Sequence, residues 1–154
     1  MSTTQIETPT CQCQLGIGQS EITPPVGIYH RFWGAAKHDQ ATGVHRPLLA
    51  SVVLLQPLES EDTAAHVLIA LDHCLLRPDE MAEVLTASAE RLDVSESQIV
   101  FTFSHTHSGG NLGRNRASLP GGDLIGPYLD ALPDRIETAY QLAKTSLQPV
   151  TLTF

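Results

Sequence analysis

Two histidines one residue apart, His105 and His107, close a short run of β-branched and aromatic residues, Ile99-Val100-Phe101-Thr102-Phe103-Ser104. Such a run predicts a buried strand. Side chains alternate faces along a strand, so i and i+2 point the same way wherever the extended backbone persists through Thr106. Two imidazoles side by side at a strand end are nitrogen donors of the kind Zn²⁺ accepts. Ser108, Gly109, Gly110 and Asn111 follow, and the two glycines permit a turn behind the pair. A catalytic zinc takes about three protein ligands and a water. Asp72, His45, His38 and His30 are candidates for the third place. Bound zinc lowers the pKa of its water to about 7 and polarises a carbonyl, which is amide or ester hydrolysis chemistry. Sheet-end histidine pairs also occur as ordinary hydrogen-bonded groups, so the pair alone leaves both readings open.

Other residues near the pair could contribute. Asp72 closes an apolar run, and burying an uncompensated carboxylate is costly. It could cap a turn, hold His105 or His107 by a hydrogen bond, or bind metal directly. Arg114 and Arg116 could clamp an anionic group or steady an oxyanion, or form a solvated basic corner. Ser104 and Ser108 could be nucleophiles activated by a histidine. Neither sits in the strand-elbow-helix pentapeptide of an α/β-hydrolase, which argues against that use. Cys11 and Cys13 form a C-x-C pair without further ligands at metal-site spacing, and read as incidental thiols. Cys74, in an apolar run, reads as a small buried hydrophobe.

The elements that position these groups follow from periodicity. Residues 1–14 are polar and predict a flexible leader, with a single α/β domain over 15–154. Strands are predicted over 15–22, 50–55, 66–71, 99–104 and 148–154. The third is apolar nearly throughout, as a central strand covered on both faces would be. Met81, Val84, Leu85, Ser88, Ala89 and Leu92 make one stripe at helical spacing, which predicts a helix over 79–92 behind Pro78. A second helical run follows Pro127, and Pro133 within it predicts a kink or a division into two helices. Strand, helix and strand over 66–104 predict a parallel crossover. It would bring Asp72, His105 and His107 to one carboxyl edge, where ligands bind in open α/β sheets. The expected class is therefore α/β, with a mixed, mainly parallel β-sheet flanked by helices. Two stretches, 29–43 and 111–126, read as long loops that line a site, although Phe32 and Trp33 could simply pin the first to the domain.

Composition bounds the function classes. The 154 residues suffice for one domain with a sizeable core. Seventeen acidic residues against nine basic ones give a net charge of −8, which argues against a general nucleic-acid binder. No apolar stretch is long enough to span a membrane, and no signal peptide is visible, so the default expectation is cytoplasmic. There is no internal repeat and no phosphate-binding glycine loop. The chain stops on the aromatic end of its last predicted strand, which suggests that it is incomplete.

Four separate segments, in order, resemble the N-terminal part of the neutral/alkaline (non-lysosomal) ceramidase family. They are Leu15-Gly16-Ile17-Gly18 through Ile22-Thr23-Pro24-Pro25-Val26-Gly27, then Gly43-Val44-His45-Arg46-Pro47-Leu48, then Leu71-Asp72, then Phe103-Ser104-His105-Thr106-His107-Ser108-Gly109. The resemblance covers roughly residues 15 to 154. It implies zinc-dependent hydrolysis of an amide, in ceramides for the characterised branch of sphingolipid metabolism. By the same resemblance His105 and His107 hold the zinc ligand and its neighbouring site histidine, with Asp72 and His45 close by. The expected partner is a small-molecule or lipid amide substrate, with the remainder of a parent chain packed on this domain and a homo-oligomer possible. The family usually carries Thr where Ser104 stands and Pro where Gly110 stands. Its remaining metal ligands, a histidine, a glutamate and a tyrosine, lie well beyond its first 150 or so residues. The chain is thus expected to be a fragment of a longer enzyme or a short relative, with an incomplete site. The competing expectation is a non-catalytic α/β domain that binds metal or a partner at the same edge.

Overall fold

The computed structural model describes residues 8–31, 33–34, 36–59 and 65–153. Five strands form one sheet: β1 (Thr10–Glu21), β2 (Leu49–Gln56), β3 (His66–Leu71), β4 (Ile99–Phe103) and β5 (Gln148–Thr153). Their spatial order is β4-β3-β2-β1-β5. Among the described residues two α-helices, α1 (Pro78–Leu92) and α2 (Ile125–Thr145), and three short 3₁₀ turns, at Glu96–Gln98, Arg114–Arg116 and Gly122–Leu124, complete the fold. Strand β1 begins at Thr10, within the segment expected to be a leader, and pairs there with β5. The terminal aromatic Phe154 and residues 1–7 fall outside the described residues.

The sheet is mixed, but it is mainly antiparallel, which corrects the expectation of a mainly parallel one. Strand β1 runs antiparallel to both β2 and β5, and β2 antiparallel to β3. Only β3 and β4 are parallel, and α1 is the crossover between them. A parallel neighbour needs a connection that carries the chain back along the sheet. The described residues between β1 and β2 form no helix, and the segment returns the chain at the edge where it left, so β2 runs antiparallel.

The sheet is also covered differently from expectation. Burial alternates along β3: Val67, Ile69 and Leu71 are buried, while His66, Leu68 and Ala70 are exposed. The buried set joins Val52, Leu54, Val84, Leu92, Leu129, Leu132 and Ile136 in one core. Helix α2 lies over β1 and β2 and against α1. It comes close enough that a Cβ at Gly16 or Gly18 would overlap the carbonyl oxygens of Ala143 and Ala139. Helix α2 is a single helix with Pro133 inside it. Helix α1 starts where predicted, with Pro78 in its first turn and Glu80 accepting the Arg77 amide at 3.2 Å.

Candidate functional site

The ends of β1 and β3 and the start of β2 meet at one edge. Glu21 is in register with Leu49, Ala50 with Leu71, and Leu71 with Phe103 at the end of β4. Asp72 fastens this edge. Its amide donates to the Leu49 carbonyl at 2.8 Å, and its Oδ2 accepts the Leu49 amide at 3.2 Å. The Ser104 amide donates to the Leu71 carbonyl at 3.0 Å, which sets Ser104 beside Asp72.

Beyond Phe103 the strand does not continue. His105 takes a left-handed backbone, φ 53°, so strand alternation is broken at the first histidine. The two imidazoles still lie together, with ring centroids 5.4 Å apart and planes at 63°. His105 Nδ1 lies 3.0 Å from the Cys74 carbonyl oxygen. A proton on Nδ1 makes that contact a hydrogen bond and leaves the Nε2 lone pair free. The Cys74 Sγ is 3.8 Å from the same nitrogen, and burial raises that thiol's pKa, so it stays protonated and inert. His107 stacks on Trp33, centroids 3.6 Å apart and nearly coplanar at 7°. The Trp33 indole N–H reaches the Gly109 carbonyl at 3.4 Å. The 29–43 loop therefore supports the histidine loop directly. Gly110 allows this, since a Cβ there would sit 2.7 Å from the Tyr29 carbonyl oxygen.

Next to the histidine loop is a cavity of about 640 Å³. Ser104, Thr106 and Ser108 line it, together with Asp72, His30, His38, His45 and Arg46. His105 and His107 are not among its lining residues and contact Cys74 and Trp33 instead. Asp72 and the histidine pair thus share a sheet edge without sharing the cavity wall. His30 and His38 stack with centroids 5.1 Å apart, and His30 Nε2 is 3.3 Å from the Ser108 carbonyl oxygen. Among the described residues no histidine nitrogen hydrogen-bonds the hydroxyl of Ser104 or Ser108, and no group of three or more His, Cys, Asp or Glu residues is placed to hold one metal ion.

Arg114 lies elsewhere. Its Nη2 donates to Asp130 of α2 at 2.5 Å, its Nε is 3.5 Å from Glu83 of α1, and its amide donates to Glu80 at 2.7 Å. It fastens the loop after the histidines to both helices and takes no part in the cavity wall. Arg116 Nη1 donates at 3.1 Å to both the carbonyl and the side-chain oxygen of Asn111, which braces the same loop.

Sequence reasoning passed over His73 and Tyr128. The His73 ring is 3% exposed and stacks against Tyr128 with centroids 5.9 Å apart, and Phe103 meets it edge-on at 6.4 Å. Neither His73 nitrogen nor the Tyr128 hydroxyl makes a well-formed hydrogen bond, and the Leu75 backbone near the His73 ring only partly opposes the effect of burial. Desolvation pushes the His73 pKa down to about 4 and raises that of Tyr128. His73 is next in sequence to Cys74, whose carbonyl oxygen lies 3.0 Å from His105 Nδ1. The only signal in the sequence was a histidine between Asp72 and Cys74 at the end of an apolar strand.

Two solved ceramidases share this fold. A ceramidase complexed with C2 superposes with a TM-score of 0.69 at 18% identity, over 93% of this chain and 22% of its own. A neutral ceramidase from Pseudomonas aeruginosa superposes with a TM-score of 0.68 at 18% identity, over 94% of this chain and 23% of its own. The chain therefore spans less than a quarter of the length of either. No family model matches the sequence, and no curated protein matches it. Among the described residues no helix is long and apolar enough to cross a membrane.

Proposed function

We propose that this chain carries part of the catalytic site of a zinc-dependent amide hydrolase of ceramidase type, acting on a small-molecule or lipid amide. The observation that carries the reading is the placement of the His105 ring. Its Nδ1 faces the Cys74 carbonyl, so its Nε2 is available to a metal, and His107 stands beside it. The shared fold with two ceramidases supports the reading. The described residues fit a zinc ion only in part. They offer two imidazole donors and no third, where a catalytic zinc takes about three. When bound, zinc activates a water and polarises the amide carbonyl.

This chain's own residues have positioning roles in that chemistry. Cys74 fixes the His105 tautomer through its backbone carbonyl. Trp33 holds the His107 ring flat against itself. Asp72 ties β2 to β3 at the mouth of a cavity whose size suits a small-molecule ligand. A second reading is a non-catalytic α/β domain that binds metal or a partner at the same edge; among the described residues no third donor joins the pair.

Zinc titration separates the two. Trp33 is the only tryptophan and lies on His107, so its emission reports on that ring. Zinc at tens of micromolar is expected to change the emission, and H105A and H107A should each weaken zinc binding in equilibrium dialysis at least tenfold. Amide hydrolysis that depends on both histidines and is abolished by a chelator supports the enzyme reading. Zinc binding without hydrolysis by the natural chain supports the second. Unchanged emission with no zinc retained would sink both metal readings.

A further inference from the structure

The cavity beside the histidine loop reverses the charge balance of the chain. The chain carries 17 acidic residues against nine basic ones, yet the lining holds one carboxylate, Asp72. Its Oδ2 already accepts the Leu49 amide at 3.2 Å. Against it stand Arg46 and three of the seven histidines, His30, His38 and His45. Arg31, Arg77, Arg91 and Arg114 each pair with a carboxylate. Among the described residues Arg46 pairs with none, and it is exposed on the cavity wall. Two threonine hydroxyls of the lining have their protons to give. Thr23 Oγ1 accepts the Leu48 amide at 3.0 Å, and Thr106 Oγ1 accepts the Ser108 amide at 3.1 Å. A hydroxyl whose oxygen is engaged as an acceptor still offers one O–H.

We propose that this cavity is a binding site for a small anion, a carboxylate or a phosphate, held by Arg46 with the Thr23 and Thr106 hydroxyls. The guanidinium fork matches the oxygens of either group, and the hydroxyls add donors to them. A metal cation is the wrong guest, because Arg46 repels it and, among the described residues, no three His, Cys, Asp or Glu residues are placed to hold one. A cavity of about 640 Å³ exceeds a bare ion and suits a small organic molecule. Pro24, Val44, Pro47 and Leu48 give the same wall an apolar side, which favours a carboxylate with a short hydrocarbon tail over acetate. Salt screens an exposed arginine, so the affinity is millimolar and falls with ionic strength. His105 and His107 lie outside the lining, so the inference does not depend on zinc.

Titration followed by two-dimensional NMR tests it, on the chelator-treated chain at low ionic strength, with acetate, hexanoate and inorganic phosphate as probes. Saturable shifts are expected at the amides of residues 43–46 and 104–110, with a millimolar dissociation constant for hexanoate or phosphate. R46M, at an exposed position, should weaken that binding at least tenfold. K144M removes one positive charge from the exposed side of α2 and should change it less than twofold. H105A should bind the anion as the parent does, so the site stands or falls separately from the metal reading. Hexanoate at least fivefold tighter than acetate supports a tailed carboxylate as the ligand, and phosphate tighter than hexanoate supports a phosphate ester. The proposal is overturned by a failure of every probe to saturate in the tens of millimolar, by equal weakening in R46M and K144M, or by loss of binding in H105A.

Discussion

Replacing His73 by phenylalanine should remove a specific part of the protein's acid sensitivity. The imidazole is 3% exposed, and burial holds its pKa at about 4 against an ordinary value of 6.5. The native state therefore binds fewer protons here than the unfolded chain as pH falls, and stability rises with pH. Above about pH 7 the group is neutral in both states and contributes no pH dependence. Between 6.5 and 4 the unfolded chain gains a proton that the native core refuses, and below 4 the effect levels off. The displacement corresponds to roughly 3 kcal/mol in full, of which about 2.5 kcal/mol has appeared by pH 4.5.

H73F keeps the ring that stacks on Tyr128 and meets Phe103 but has nothing to protonate. Urea unfolding of both proteins at pH 7.5, 6.0, 5.0 and 4.5 isolates the effect, because the carboxylates titrate in both and cancel in the difference. H73F should gain on the parent steadily through this range. At pH 7.5 it should be equal or slightly more stable, since it removes two buried nitrogens that lack well-formed hydrogen bonds. A stability difference that stays flat from pH 7.5 to 4.5 would refute the reasoning, and would mean that both His73 nitrogens find partners or water in solution.

Three other outcomes are expected. G18A should cost more than 3 kcal/mol in urea unfolding or prevent folding, because the new Cβ overlaps the α2 backbone at Ala139, whereas A41G, in the loop, should cost about 1 kcal/mol at most. E80L should destabilise the protein by roughly 2–3 kcal/mol, because this buried carboxylate accepts the amides of both Arg77 and Arg114, and thermal melts will show it. R114M should cost only about 1 kcal/mol, since its ion pairs with Asp130 and Glu83 are partly solvated, and it should leave zinc binding and Trp33 emission unchanged.

The helix over α1 was legible because its stripe, Pro78 and early acidic residues all agree. The β3–α1–β4 unit was legible for the same reason, and its parallel pairing is observed. What misled was β3. An apolar run of six residues looks the same whether both faces are covered or only one. Leu68 and Ala70 supplied apolar character that the described fold does not bury, and this suggested a sheet wrapped by helices on both sides. The histidine geometry was hidden for a different reason. Spacing of i and i+2 fixes a common direction only on extended backbone, and the left-handed turn at His105 cannot be read from its side chain. The Trp33–His107 stack joins residues 74 positions apart, and no periodicity links them.

The error over strand direction nevertheless left Asp72 and the histidine pair at one sheet edge, and the reason is topological. A strand that ends at an edge and a strand that begins there both deliver a loop to it. Strands β1, β3 and β4 end at this edge with Glu21, Leu71 and Phe103, and β2 begins there with Leu49. The connection from β1 to β2 therefore leaves and returns on the same side, bringing Trp33, His30 and His38 to the loop that follows β4. A parallel β1–β2 pair would have needed that segment to cross the sheet, and Trp33 could not then rest on His107. The antiparallel pairing is thus what frees a long loop to support the histidines. Lengthening or shortening that loop should alter the Trp33–His107 contact, read by Trp33 emission, before it alters the pairing of β1 with β2.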